Sequence, residues 1–316
     1  MKHPFKIIAI AGLLILVTVI GRAEEGGSGH YAHGGAATLI DLLPTEPGFI
    51  LQPMYLYYTG DASRSTTFPI AGKVAANLDA NLSSVTLGAL YTFDRKILGA
   101  HYTLGVYVPY IWQEVKATLS SGLGKINRDD KVDGFGDITL IPVGLAWKKG
   151  NWQFSGVLPI CAPTGAYKVG RLANPGLNYW TFDPTLSLAY ASEKSGMNAA
   201  LFTGMTFNTE NTDTNYQSGS VLHVEASFQQ LLPLGPGLIG LGVEGFLYEQ
   251  VTGDSGSGAV LGDFKSRSLG IGPVIDYLLP FKNKSLLAVE FRWLPELDTK
   301  HRLEGDYFWL KMAYKF

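Results

Sequence analysis

The chain ends on Tyr307-Phe308-Trp309-Leu310-Lys311-Met312-Ala313-Tyr314-Lys315-Phe316. Phe308, Leu310, Met312, Tyr314 and Phe316 fall on one face, and Lys311, Ala313 and Lys315 on the other. A period of two with one oily and one polar face is the pattern of a half-exposed β-strand. An apolar strand at the very end of a water-soluble chain leaves a free edge that invites aggregation. A closed barrel in lipid removes the edge, because the last strand pairs with the first and the oily face meets hydrocarbon.

The N-terminus fits export. Lys2 and Lys6 precede an apolar run from Ile7 to Ile20, and Gly21-Arg22-Ala23 supplies the small residues of a cleavage site. The run is shorter than the roughly 20 residues of a spanning helix. The expected boundaries are a signal peptide at 1–23, a separate segment at 24–49 and a barrel at 50–316. The final strand also resembles the C-terminal signal, ending in Phe, that bacterial barrels present to the assembly machinery.

No later stretch is long and apolar enough to cross as a helix. Hydrophobic residues make up 46% of the chain, but they come in short alternating runs broken by 38 Gly and 16 Pro, which favours an all-β chain. Losing Lys2, Lys6 and Arg22 reduces 25 basic residues to 22 against 27 acidic ones, which gives no support for nucleic-acid binding. The single Cys161 cannot form an internal disulfide and reads as a small core residue.

Alternation and turn residues predict about twelve strands, near 50–60, 82–93, 100–118, 135–147, 151–160, 180–191, 197–208, 217–230, 238–251, 264–279, 285–296 and 306–316. Long and short connections alternate between them. Barrels of the bacterial outer membrane have short periplasmic turns and long extracellular loops, so this order puts both ends of the barrel chain on the periplasmic side. The expected fold is an all-β, antiparallel, transmembrane outer-membrane β-barrel. The Gly- and Ala-rich segment before it, with His30, His33 and Asp41, either plugs the lumen or lies at the periplasmic mouth.

Alternation also assigns faces. Leu222, Val224, Ala226 and Phe228 point to lipid, which leaves His223, Glu225, Ser227 and Gln229 inside. The same pattern puts Glu244, Asp276, Glu290 and Arg292 inside, along with Gly240, Gly242, Gly270 and Gly272. A charge on the lipid face costs roughly 2–4 kcal/mol at the midplane, which supports the inward assignment. The lumen-lining candidates are therefore His223, Glu225, Gln229, Glu244, Asp276, Glu290 and Arg292. They form either wall-to-wall ion pairs that fill a narrow barrel or a polar track for a solute, and the inward glycines are expected to leave space. Outward Gly245 and Pro273 are candidate weak points for a lateral exit.

Tyr57, Tyr58, Tyr110, Trp112, Trp147, Trp152, Trp180 and Tyr248 lie near strand ends and read as interfacial girdles. Phe68, Tyr167, Tyr179 and Tyr216 are loop aromatics suited to an apolar access site for ring compounds. Catalytic signals are thin. His223 and Ser227 share a face but sit roughly 13 Å apart along a strand. Neither Gly-x-Ser-x-Gly nor His-Glu-x-x-His occurs, and no catalytic residue, metal ligand or cofactor is expected.

Several segments, in order, resemble a known family: Gly26-Gly27-Ser28-Gly29-His30-Tyr31, Leu43-Pro44-Thr45-Glu46-Pro47-Gly48, Gly134-Phe135-Gly136-Asp137, Ala162-Pro163-Thr164-Gly165-Ala166-Tyr167, Asn174-Pro175-Gly176-Leu177-Asn178-Tyr179-Trp180 and Asn211 to Gly219. They resemble the outer-membrane family named for the meta-cleavage pathway of phenol degradation, also called SphA-like. The resemblance implies a channel that passively takes up small aromatic or hydrophobic solutes, with outer-membrane lipid and the barrel-assembly machinery as its other partners. The alternatives are a lipid-acting outer-membrane enzyme, a structural or adhesive barrel and a general diffusion pore. Gly134, Gly136, Gly165, Gly176 and Asp137 read as rim architecture.

Overall fold

The computed structural model describes residues 29–316 apart from 63–66, 71–72, 122–123, 261–264 and 284. The signal-peptide expectation lies outside the described residues. The strands are β1 Gly48–Asp61, β2 Thr67–Ile70, β3 Lys73–Ile97, β4 Ala100–Ser121, β5 Gly124–Phe135, β6 Ile138–Lys149, β7 Trp152–Ala162, β8 Thr181–Phe182, β9 Thr185–Ala191, β10 Met197–Asn208, β11 Val221–Leu234, β12 Gly237–Gln250, β13 Arg267–Pro280, β14 Leu286–Lys300 and β15 Glu304–Lys315.

These segments make twelve wall positions. β4 pairs with β5 along its outer half and with β6 along its inner half, and β8 and β9 are one strand interrupted at Asp183-Pro184. β2 pairs with β3 alone and adds no wall position. The barrel closes because β1 lies between β15 and β3, antiparallel to both, with Leu56 opposite Trp309 on one side and Ser84 on the other. Gly48 and Phe316 sit at the end that carries the short turns. The outer wall is apolar, with Leu241, Val243, Ile271, Ile275, Phe291, Trp293 and Leu310 each more than 40% exposed. On a surface facing hydrocarbon, such exposure is what solvation requires.

Two strands run well past the expected limits. β3 has 25 residues and β4 has 22, whereas roughly 9–11 suffice to cross a bilayer. With β2 and β5 they build a sheet that stands beyond the long-loop rim. The region 119–134, expected as a loop, is largely strand; Asn127, Asp129, Lys131 and Asp133 are all exposed, so no apolar alternation marked it in the sequence. The start of β3 was hidden differently. Asn77 adopts φ +51° and the register with β4 shifts between Ala76 and Asp79, so the periodicity breaks there. β11 begins at Val221, four residues after its expected start.

The aromatic assignment needs two corrections. Tyr58 is 9% exposed and Tyr248 is fully buried, so both point inward and neither belongs to a girdle. Tyr58 packs on Tyr307 at 4.4 Å, and Arg302 lies 4.2 Å over the Tyr248 ring. The inward glycines also differ from expectation, because they leave no free space. The Asp276 carboxylate occupies the volume above Gly240, Gln229 that above Gly242, and Phe246 that above Gly270. At Gly272 a Cβ would fall 1.8 Å from the Trp293 carbonyl oxygen.

Gly272→Ala should therefore lower the urea midpoint of the refolded protein, by an equivalent of about 1–3 kcal/mol for forced overpacking. Gly156→Ala, whose new methyl would meet only the Leu186 side chain at 3.4 Å, should leave the midpoint nearly unchanged.

Candidate functional site

Residues 30–47 run along the inward-facing side chains from one end of the barrel to the other. Near the short-turn end, Glu46 pairs with Lys315 at 2.6 Å. At the long-loop end, His30 Nε2 meets Asp137 Oδ2 at 2.9 Å, and Nδ1 meets Thr181 Oγ1 at 2.7 Å. Thr181 in turn donates to Asn208, leaving both ring nitrogens of His30 facing acceptors. A short 3-10 turn, Leu39–Asp41, bends the segment midway, and the Ala37 and Thr38 amides donate to Asp41.

Two buried cations organise the centre. Arg292 is fully buried: Nη1 donates to the Gly34 carbonyl at 2.6 Å, and Nη2 donates to Thr38 Oγ1 at 2.9 Å and Asp41 Oδ2 at 2.5 Å. It also pairs with Glu290 on its own strand and with Glu244 of β12 at 3.2 Å. Lys311 Nζ donates to the Gly34 and Gly35 carbonyls at 2.8 and 2.7 Å and to Asp41 Oδ1 at 2.8 Å. Asp41 thus bridges both cations. Burial opposes its charge, but Arg292 and Lys311 outweigh that cost and hold the carboxyl below its ordinary value. The cluster thus joins wall to segment as well as wall to wall.

The remaining candidates touch the same segment or one another. Glu290 accepts from the Thr38 hydroxyl at 2.6 Å. Glu225 accepts from the Tyr31 hydroxyl and from the Gly34 amide at 2.8 Å. His223 stacks on Tyr31 at 3.8 Å and meets Asp183 Oδ1 at 2.8 Å. Gln229 donates to Asp276 below this cluster, across the gap left by Gly240. His33 is fully buried against Phe246 at 4.2 Å, and burial pushes its imidazole down to about 4, so it is neutral at pH 7. Trp309 Nε1 donates to the His33 carbonyl at 2.7 Å.

The opposite wall is apolar or weakly polar: Ala189, Ala200 and Phe202 pack against Ala36 and Leu42. Tyr31, Thr38, Asp41 and Lys311 were not among the candidates read from the sequence. Lys311 on the polar face of the last strand was the signal that could have placed it. Among the described residues no group of three or more His, Cys, Asp or Glu could hold a metal ion.

At the long-loop end three of the sequence segments converge. Asp137 accepts from the Gly165 amide at 2.8 Å and the Leu177 amide at 2.7 Å, besides its contact with His30. A Cβ on Gly165 would fall 2.8 Å from the Gly176 Cα and 2.9 Å from the Gly136 carbonyl carbon, so this approach is open only to glycine. The loop 163–180 is thereby drawn over the mouth. Beneath it lies a cavity of about 90 Å³, lined by Tyr58, Leu78, Val115, Tyr167, Leu172 and Tyr179 among others. Tyr179 meets His30 edge-on at 5.0 Å, joining this cavity to the segment below. Tyr216 is elsewhere, buried and donating to Asp254, and the Phe68 side chain lies outside the described residues.

The family model described as putative MetA-pathway of phenol degradation matches residues 63–312. The chain belongs to this family. Among solved structures it is similar to the COG4313 outer membrane channel from Pseudomonas putida F1, with a TM-score of 0.61 at 15% identity, covering 90% of this chain and 100% of that one. The β domain of the Bordetella autotransporter Brka follows at 0.50 and 11% identity, covering 86% of this chain and 100% of that one. At such identities the likeness is one of fold, that of an outer-membrane β-barrel. No curated protein sequence matches the chain.

Removing one partner from a buried ion cluster costs about 3–5 kcal/mol because the others stay buried and uncompensated. In a Cys161→Ser background, a cysteine replacing the fully buried Ala37 should react slowly with a maleimide. Adding Arg292→Ala should raise that rate more than about a hundredfold. An unchanged rate would show that the cluster does not hold the segment.

Proposed function

We propose that this family member is an outer-membrane channel for small apolar or aromatic solutes, with its short-turn end in the periplasm and the described segment before β1 acting as a plug. The observation that carries the reading is the apolar cavity under loop 163–180. It stands at the outer mouth, directly above the segment that fills the lumen. A solute moving down the lumen meets the buried charge cluster of Asp41, Arg292 and Lys311. An apolar solute can leave water in the cavity and then needs either displacement of the segment or a way out through the wall.

One of several irregular places in the wall lies on β13, beside the outward Pro273. Pairing of β13 with β14 shifts between Leu269 and Gly270 and resumes only at Val274 opposite Arg292, leaving Ile271, Gly272 and Pro273 outside the ladder. A lateral exit there predicts faster amide exchange at Ile271 and Gly272 than at Ile275 and Asp276; uniform protection along β13 would remove it.

The uptake reading is tested by flux through refolded protein in lipopolysaccharide-containing proteoliposomes. Phenols and alkylbenzenes should cross faster than sugars and amino acids of matched size. Val115→Asp, which puts a charge in the cavity, should reduce aromatic flux severalfold. Equal flux of sugars would make the barrel a general pore.

A further inference from the structure

A second site is built at the short-turn rim. Two turns rise there side by side, Leu98-Gly99 between β3 and β4 and Gly150-Asn151 between β6 and β7. Both rely on left-handed backbone, with φ +52° at Leu98, +79° at Gly99 and +60° at Gly150. The pairings Lys96 to His101 and His101 to Ala146 align three residues in one row across β3, β4 and β6. Ala146 is fully buried, so the row faces the barrel interior, and Lys148 lies two residues further along the same face. Thr45, from the segment leading into β1, closes the side of a cavity of about 330 Å³ lined by these residues and the two turn glycines.

Two cations of this vestibule form no direct ion pair, although Lys148 also acts through space on the Glu46 carboxyl. Among the described residues neither Lys96 nor Lys148 has an ion-pair partner. Glu46, at the same rim, gives its direct ion pair to Lys315 at 2.6 Å. Arg95 and Lys149 adjoin the two lysines in sequence and add positive charge to the same rim, against Asp94. Just outside, the wall turns apolar. Leu98 is 85% exposed, Ile97 and Phe154 are each 44% exposed, and Trp147 donates to the Leu98 carbonyl at 3.0 Å while lying 5.6 Å from Phe154. A basic recess against an exposed apolar ledge matches a molecule with an anionic head and a hydrocarbon tail. Basic pockets at the membrane surface bind anionic lipid headgroups in this way.

We propose that Thr45, Lys96, His101 and Lys148 form a binding site for the phosphate ester of an anionic glycerophospholipid, with its acyl chains along Leu98, Trp147 and Phe154. The proposal rests on the orientation given above, which brings this rim to the inner leaflet of the outer membrane. The lysines supply compact charges that reach a phosphate without demanding bidentate geometry. The apolar ledge gives a lipid an advantage over a soluble phosphate ester.

The test is native mass spectrometry of the full chain in mixed micelles containing phosphatidylglycerol or phosphatidylcholine. Phosphatidylglycerol adducts should persist and phosphatidylcholine adducts should be lost. Each lysine near an anionic lipid contributes roughly fivefold in affinity, so Lys96→Gln with Lys148→Gln should weaken binding about 25-fold. Lys194→Gln, on another turn of the same rim, should leave it unchanged. Equal retention of the two lipids, or unaltered binding by the double variant, would overturn the proposal. Displacement by glycerol phosphate at equal concentration would also overturn it, in favour of a soluble ligand. Heat-modifiable migration of each variant confirms folding. Micelles impose no orientation, so a failure here leaves the orientation proposed above standing.

Discussion

Arg292 and Lys311 are two cations with almost no exposure, set on neighbouring strands inside a barrel. Their burial is tolerable only if opposite charge is brought to them, since an unpaired ion in a low-dielectric site costs several kcal/mol. The walls supply Glu290 and Glu244, and Asp41 completes the set by bridging both cations from the segment before β1. That requirement decides where the chain's first described residues lie. Once Asp41 is fixed, the Gly34 and Gly35 carbonyls fall to Lys311, Thr38 to Glu290 and Tyr31 to Glu225. Around it the inward glycines 240, 242 and 270 admit the Asp276, Gln229 and Phe246 side chains.

The two ends of the barrel answer different physical demands. At the long-loop end, Asp137 ties three segments together through amides at Gly165 and Leu177 and through His30. The glycine contacts there allow backbone to lie on backbone and draw one loop across the mouth. The space left beneath that loop is apolar. At the short-turn end the glycines serve tight turns, and the space between those turns is lined by cations. A solute crossing from one mouth to the other would meet an apolar recess, a charged constriction and a basic vestibule in that order.

The features legible in the sequence are those that lipid imposes. Hydrocarbon on one side forces strict alternation, so the faces of β11 to β15 and most strand limits could be read directly. Where water lies on both sides, as along β5, that pressure vanishes and so does the pattern. Asn77 hid the start of β3 by breaking the period with a left-handed residue. Tyr58 and Tyr248 resembled girdle aromatics by their place near strand ends, but alternation puts them on the inward faces of Leu56 and Glu244. Pairing across the lumen was the hardest feature to read. Alternation tells that Arg292 points inward, but nothing local tells that its partner lies 251 residues earlier at Asp41. The meeting of Gly136, Gly165 and Gly176 was equally hidden, although the segments that carry them stood out individually.

The central claim is that Asp41, by neutralising Arg292 and Lys311, keeps the lumen filled. Single-channel current across planar bilayers tests it most directly. Small conductance is expected for the wild-type barrel, markedly larger steps for Asp41→Ala, and no change for Glu46→Ala, which loses only a surface pair at the rim. Equal conductance for the wild type and Asp41→Ala would contradict it.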